Sequence, residues 1–278
     1  MKLLWPYLLT AAAILSALFF VPKEPIDPWG LISLYSLLRL LLLLMVIQIL
    51  SYTIMTYLKG HKGGFLLGFL GGLISSTALT ASLAKQSHDC SEDEVRLLSL
   101  AYLSALLGMV VEGLILVFVG VGEMHWELLW VFAGPILMTV GLLIWRVRKL
   151  QEIKFQEGAL PPMGVGALII LGLVVAAFLI LSKLLQKTLG QTGQFVLTFL
   201  VCLFELHGSI IGNVQLHERN IIDIRTLGNL IALGLFSSYL AKMSLVLFMG
   251  SDSLKKRVAK YSLWLMVSLF VGWGIFTS

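Results

Sequence analysis

Ionisable side chains are scarce in this chain, so those set inside long apolar runs are the first candidates for chemistry. Glu112 lies in MVVEGLIL, Lys242 in YLAKMSLV, and Glu205 with His207 in FELHGSI. In lipid a lone charge costs at least about 2.5 to 3.5 kcal/mol on insertion scales, so such residues turn inward or pair. Glu112 and Lys242 are the natural ion pair, with a purely structural lock as the alternative to a working site. A histidine beside a carboxylate carries protons near neutral pH. Residues two apart on a helix point different ways, so Glu205 and His207 reach one site only if the segment breaks, which Gly208 and Gly212 would permit. Arg39, about ten residues into its run, is expected to snorkel to an interface.

A second group is hydroxylic. Residues 71–84 read GGLISSTALTASLA and place Ser75, Ser76, Thr77, Thr80 and Ser82 among hydrocarbon side chains. Hydroxyls in lipid need partners, so they either glue helices together or line a polar path. Gly64, Gly68, Gly72, Ser76, Thr80 and Ala84 recur every fourth residue, the pattern of a continuous helix pressed on a neighbour. Ser75, Thr77 and Ser82 fall off that stripe, and both readings stay open.

These residues must be positioned by an all-α polytopic membrane protein. The 278 residues are 58% hydrophobic and only 13% charged, with a mean hydropathy of +0.95, far too apolar for a water-soluble globule. Nine apolar segments are readable, at about 3–21, 30–57, 63–85, 94–120, 127–148, 163–187, 191–215, 222–249 and 258–277. The first has one basic residue before it and no small-x-small cleavage site, so it reads as an uncleaved span. The organisation expected is an N-terminal span and turn over 1–29, then repeats of four segments over 30–150 and 160–278, together one structural domain.

The repeat is visible in residues. LVFVG (116–120) and VLFMG (246–250) each close a third segment, which sets Glu112 opposite Lys242. Laying SSTALTASLA over LHGSIIGNVQ sets Ser76 opposite His207 and Ser82 opposite Asn213, so polar residues recur in the same places. Loop charge orients the halves. Nine spans would divide the loop Lys and Arg evenly. If 63–85 and 191–215 re-enter instead, thirteen lie on one side (Lys2, Lys59, Lys62, Lys85, Arg96, Arg146, Arg148, Lys149, Lys154, Lys255, Lys256, Arg257 and Lys260). Each repeat then has three crossings plus one re-entrant or broken segment, and the odd number inverts the halves. The positive-inside rule makes the basic side, with the N-terminus, cytoplasmic.

The run from PIDPWGLIS through YTIMTYLKGHKGGFLLGFLGGLISSTALTASLAKQS resembles the bacterial membrane domain of unknown function that often follows an MgtC/SapB domain. That family's GG-L-[VI]-SSTA-x-T-x-SLA signature is complete from Gly71 to Ala84. FELHGSI resembles its second-half motif, with His207 where a second acid is usual. SSYLAK matches its small-Asn-x-x-x-Lys pattern with Ser238 in place of Asn and Lys242 kept, and Glu112 stands where an Arg is usual. The resemblance spans roughly 22–277, implies a bacterial inner-membrane location and supplies no substrate. Only one short span precedes it, so the MgtC part is expected to be absent.

Other chemistry finds little support. HDCSEDE (88–94) holds ligand types, but no second pair stands at ligand spacing, so no metal site and no cofactor are expected. Nucleophile elbows, Walker loops, GxGxxG and HExxH are missing, and an enzyme acting on lipid rests only on Glu205 with His207, so no enzyme is expected. The net charge of +5 marks topology and anionic lipid, not nucleic acid. Cys90 and Cys202 have no paired spacing. The expected function is a transporter or channel for a small ion or polar solute. Its site would be built from Ser75, Ser76, Thr77, Thr80, Ser82, Glu205, His207 and Asn213, with Glu112 and Lys242 as the charge pair. The alternative is a non-transporting regulator of another membrane complex. The partners expected are the lipid bilayer and the solute, and association into a homo-oligomer stays open.

Overall fold

The computed structural model describes residues 4–27, 29–57, 64–122, 125–147 and 161–278. Among them the regular structure is helical: α1 (Trp5–Ala17), α2 (Leu34–Tyr57), α3 (Gly64–Gln86), α4 (Glu92–Val121), α5 (Leu129–Val147), α6 (Val165–Leu189), α7 (Gln191–Cys202), α8 (Leu206–Glu218), α9 (Ile224–Met249) and α10 (Asp252–Thr277). Seven described helices are long and apolar enough to cross a membrane, namely α2, α3, α4, α5 with its preceding turn, α6, α9 and α10. Long apolar side chains on α6 such as Ile169, Ile170, Leu173 and Leu184 stay exposed, as a lipid-facing surface requires.

Contacts sort the segment ends onto two faces. At one, Ser87 Oγ accepts from Ser251 N at 2.8 Å, and Glu92 accepts from Ser253 Oγ and Arg257 Nη2 at 2.6 and 2.9 Å. Lys85, Arg96, Arg146, Lys255, Lys256, Arg257 and Lys260 gather at this basic end. The other six of the thirteen basic residues (Lys2, Lys59, Lys62, Arg148, Lys149 and Lys154) lie outside the described residues. At the opposite end Arg39 Nη2 donates to Gly120 O at 2.9 Å and to Glu218 Oε1 at 2.7 Å, while Arg225 reaches Thr277 O at 2.7 Å. Arg39 therefore ties the first repeat to the second instead of snorkelling alone.

Two segments enter and leave on one face. The sequence from Gly64 to Gln86 is broken at Ser75, whose backbone is extended (φ −164°, ψ 94°). Before the break the chain climbs beside α4 from the basic end: a Cβ on Gly68 would meet Ala101 O at 2.6 Å, and one on Gly72 would meet Ala105 O at 2.3 Å. After it the chain turns back, with Leu79 against Gly71 and Ser87 returned to the basic end. The small-residue stripe is thus not one continuous helix. Gly68 and Gly72 press on α4, whereas Ser76 and Thr80 belong to the returning half.

The second hairpin is the inverse. Helices α7 and α8 have 12 and 13 residues, about 20 Å each at 1.5 Å per residue, too short for a ~30 Å core. Gln191 and Asp223, at the two ends of this unit, line one pocket at the opposite end, so the hairpin enters and leaves there. Its break falls at Leu203–Glu205, ahead of Gly208 and Gly212. Those glycines are not hinges. Gly212 admits Phe178, whose Cδ1 would lie 2.4 Å from a Cβ there.

The structural register differs by one residue from the hydroxyl-motif alignment. Ser75 corresponds to Glu205, because both are extended and both cap the returning half-helix, Ser75 Oγ accepting from Ala78 N and Glu205 Oε1 from His207 N. Ser76 thus falls opposite Leu206, not His207. The shift agrees with Glu112 opposite Lys242 and with Gly72 opposite Cys202, both set against the neighbouring long helix.

The first apolar segment forms a shorter α-helix than the expected 3–21, continued by turns to Val21. Leu4 packs among Tyr52 and Met55 towards the basic end, and Lys23 lies over the Tyr35 ring at the other. Residues 4–23 therefore run the height of the bundle.

Gly72→Ala should force the first hairpin off α4, because the methyl meets backbone rather than a flexible side chain. We expect a loss of about 1–3 kcal/mol, read as a lower melting temperature in detergent. An unchanged melting temperature would contradict the close approach.

Candidate functional site

The two breaks stand at the tips of oppositely inserted hairpins, and the buried charges gather beside the second. Helix α8 runs parallel to α4 toward the opposite end, with Ile210 against Gly113 and Val214 against Gly120. This packing brings His207 Nε2 within 3.1 Å of Glu112 Oε2. The other ring nitrogen, Nδ1, lies 3.6 Å from Glu205 Oε1. An imidazole thus stands between two carboxylates.

Burial grades along this chain of groups. The Glu205 side chain is 32% exposed, His207 12% and Glu112 1%. Among the described residues Glu112 Oε1 has no hydrogen-bond partner, and the contact from His207 Nε2 is close but misaligned for a hydrogen bond. A buried carboxylate oxygen without a donor is costly, and such sites need a proton, water or ligand to satisfy them. Glu205 to His207 to Glu112 is the order in which a proton could move inward from the more exposed group.

Lys242 lies apart from Glu112. Its Nζ donates to Ser238 Oγ at 2.7 Å, Ser238 contacts Met109 Sδ at 3.3 Å, and the carboxylate that acts on it is that of Glu205. The expected Glu112–Lys242 pair is therefore not formed. The reason is topological: α8 packs on α4 and both halves of the second hairpin pack on α9, so the hairpin's tip comes between the two residues. Lys242 and Glu112 flank the Glu205–His207 tip instead of meeting.

The hydroxyl motif divides. Ser75 makes the break. Ser76 and Thr80 are buried, and Thr80 Oγ1 donates to Ser76 O at 2.7 Å, as packing residues do. Thr77 is exposed on the returning half-helix, and Ser82, half-buried, accepts from Gln86 Nε2 at 3.3 Å. Asn213 is far from these. It lies inside the second hairpin, where Oδ1 accepts from Gln194 Nε2 at 2.7 Å and Nδ2 donates to Thr198 Oγ1 at 3.3 Å.

Sequence reasoning passed over Gln194, Thr198 and Ser209, yet they carry a readable signal. Gln194, Thr198 and Cys202 recur every fourth residue on α7, as do Glu205, Ser209 and Asn213 along the start of α8. Two pockets stand out, one of about 80 Å³ at the opposite end beside Gln194 and Asp223 and one of about 550 Å³ among the basic residues. Neither is lined by Ser76 or His207. At the first, hydrogen bonds from Thr226 hold the Asp223 carboxyl below its usual range. Among the described residues no group of three or more His, Cys, Asp or Glu is arranged to hold a metal ion.

Double-mutant cycles should separate the two pairings. Glu112→Gln with His207→Ala should show a coupling of about 0.5–3 kcal/mol, whereas Glu112→Gln with Lys242→Met should add to within about 0.5 kcal/mol. Strong coupling of Glu112 to Lys242 and none to His207 would contradict the geometry.

Comparison with known proteins adds the family. No curated protein and no solved structure matches the chain. A family described as Domain of unknown function (DUF4010) matches residues 42–250, from within α2 to the end of α9, and so takes in both hairpins and all four central ionisable residues. The match does not extend to an association with MgtC/SapB domains. By this coverage the chain belongs to the DUF4010 family.

Proposed function

We propose that this protein moves a small ion or polar solute across the membrane, with a site where the Ser75 and Glu205 breaks approach Glu112, His207 and Lys242. One observation carries the reading: two half-crossing hairpins are inserted from opposite faces, and the tip of the second ends beside buried ionisable residues, one of which keeps an oxygen without a partner among the described residues. Broken helices are tolerated at depth where they line a cavity or bind substrate, and charged groups there usually mark a path. The N-terminal ends of the returning half-helices point their positive dipole ends inward, which suits an anionic group, and His207 between two carboxylates suits proton coupling.

The family resemblance implies a bacterial inner-membrane location, and the charge asymmetry supports an orientation with the basic end and the N-terminus in the cytoplasm. The reading assigns transport and no catalysis. A second reading, a regulator that binds another membrane complex, draws on the position of the two pockets away from His207, since a locking charge cluster needs no open centre.

The test is flux into proteoliposomes holding the purified protein, screened over small ions and polar solutes under an imposed pH gradient. Wild type should move at least one above protein-free vesicles, and Glu112→Gln and His207→Ala, both still folded, should each slow it about tenfold or more. Full flux in both variants would remove these residues from the path. No flux for any solute would favour the regulator.

A further inference from the structure

The two hairpins have the same architecture and opposite interiors. In the first, Gly68 and Gly72 press on α4, Leu79 and Leu83 are buried, and the hairpin closes on itself through Leu79 against Gly71. At the corresponding positions the second carries Thr198, Cys202, Ser209 and Asn213. All four are buried to 2% exposure or less. Symmetry alone would have made them glycine and leucine.

These side chains form one connected column. Ser182 Oγ donates to Gln194 Oε1, Gln194 Nε2 donates to Asn213 Oδ1 at 2.7 Å, and Asn213 Nδ2 donates to Thr198 Oγ1 at 3.3 Å and to Ser209 Oγ at 3.4 Å. Ser209, one turn from Glu205, stands beside the Cys202 thiol at the column's inner end. The column's outer end opens on the 80 Å³ pocket shared by Ser182, Gln194, Asp223 and Thr226. At about 10–15 Å³ of probe space per water, that pocket admits several waters.

We infer that the interior of the second hairpin is a one-sided access route, taking water and the protons it carries from the opposite end to Glu205 and His207, while the leucine-filled first hairpin seals the basic end. The inference rests on the proposed transport site but concerns its connection to one face. Every polar group in the column is uncharged, so it can exchange side-chain hydrogen bonds for water without stranding a charge. A column kept only to lock the hairpin would stay dry.

Cys202 is a native reporter inside the column. In a Cys90→Ser background it is the remaining cysteine, and a small membrane-impermeant methanethiosulfonate can be applied to either face of sealed vesicles. We expect modification of Cys202 from the face that also labels a reference Thr192→Cys variant, and none from the basic face. Asn213→Leu, which installs the first hairpin's residue, should slow modification about tenfold or more, and the isosteric Thr198→Val should slow it likewise if the leucine variant does not fold. No modification from either face, or equal modification from both, would overturn the route. So would unchanged modification in folded variants. Flux without Cys202 modification would leave transport standing and end the route; modification without flux would do the reverse.

Discussion

Lipid offers no hydrogen bonds, and this constraint governs the whole architecture. A helix interrupted at mid-depth exposes backbone donors that cost several kcal/mol each unless something inside the protein meets them. Here the interrupting residue supplies the acceptor, Ser75 in one repeat and Glu205 in the other. Neither break needs proline or a left-handed glycine. Because each break is capped, the chain can turn back at the tip, and two short half-helices do what one crossing would otherwise do.

The charges follow from the hairpins. A half-crossing ends inside the bundle, so its tip is flanked by the middles of long helices. The Glu205–His207 tip meets Glu112 on α4 from one side and the Lys242 region of α9 from the other. Repeat-equivalent residues therefore bracket a shared tip, and equivalence in sequence does not mean contact in space. The close approach of α3 to α4 depends on Gly68 and Gly72, which lets the first hairpin enter as a bare backbone ridge. The second hairpin has no such ridge: Thr198 and Cys202 stand at the equivalent positions, the Cys202 thiol against Gly234 of α9.

Much of this was legible in residues. The membrane class followed from apolar length, and the inverted plan from the position of lysines and arginines, since a re-entrant segment changes the side of every loop after it. Glu112, Glu205, His207 and Lys242 were found because charge in lipid is costly wherever it points. What was not legible was partnership. Alignment of VLFMG with LVFVG placed Glu112 and Lys242 together on paper, whereas helix packing gives Glu112 to His207. The break at Ser75 was hidden by the every-fourth-residue stripe, which is as compatible with two packed halves as with one helix. The column of Gln194, Thr198, Ser209 and Asn213 was written at i, i+4 spacing, but only the hairpin fold sets its two halves face to face.

The central claim is that both broken segments re-enter from opposite faces, and sided cysteine labelling of the connections that flank them tests it most directly. In a cysteine-free background, single cysteines at His61 and Asp89 should label from one face, and cysteines at Thr192 and Asn220 from the other. Labelling of positions 61 and 89 from different faces, or of 192 and 220 from different faces, would make that segment a full crossing and contradict the account.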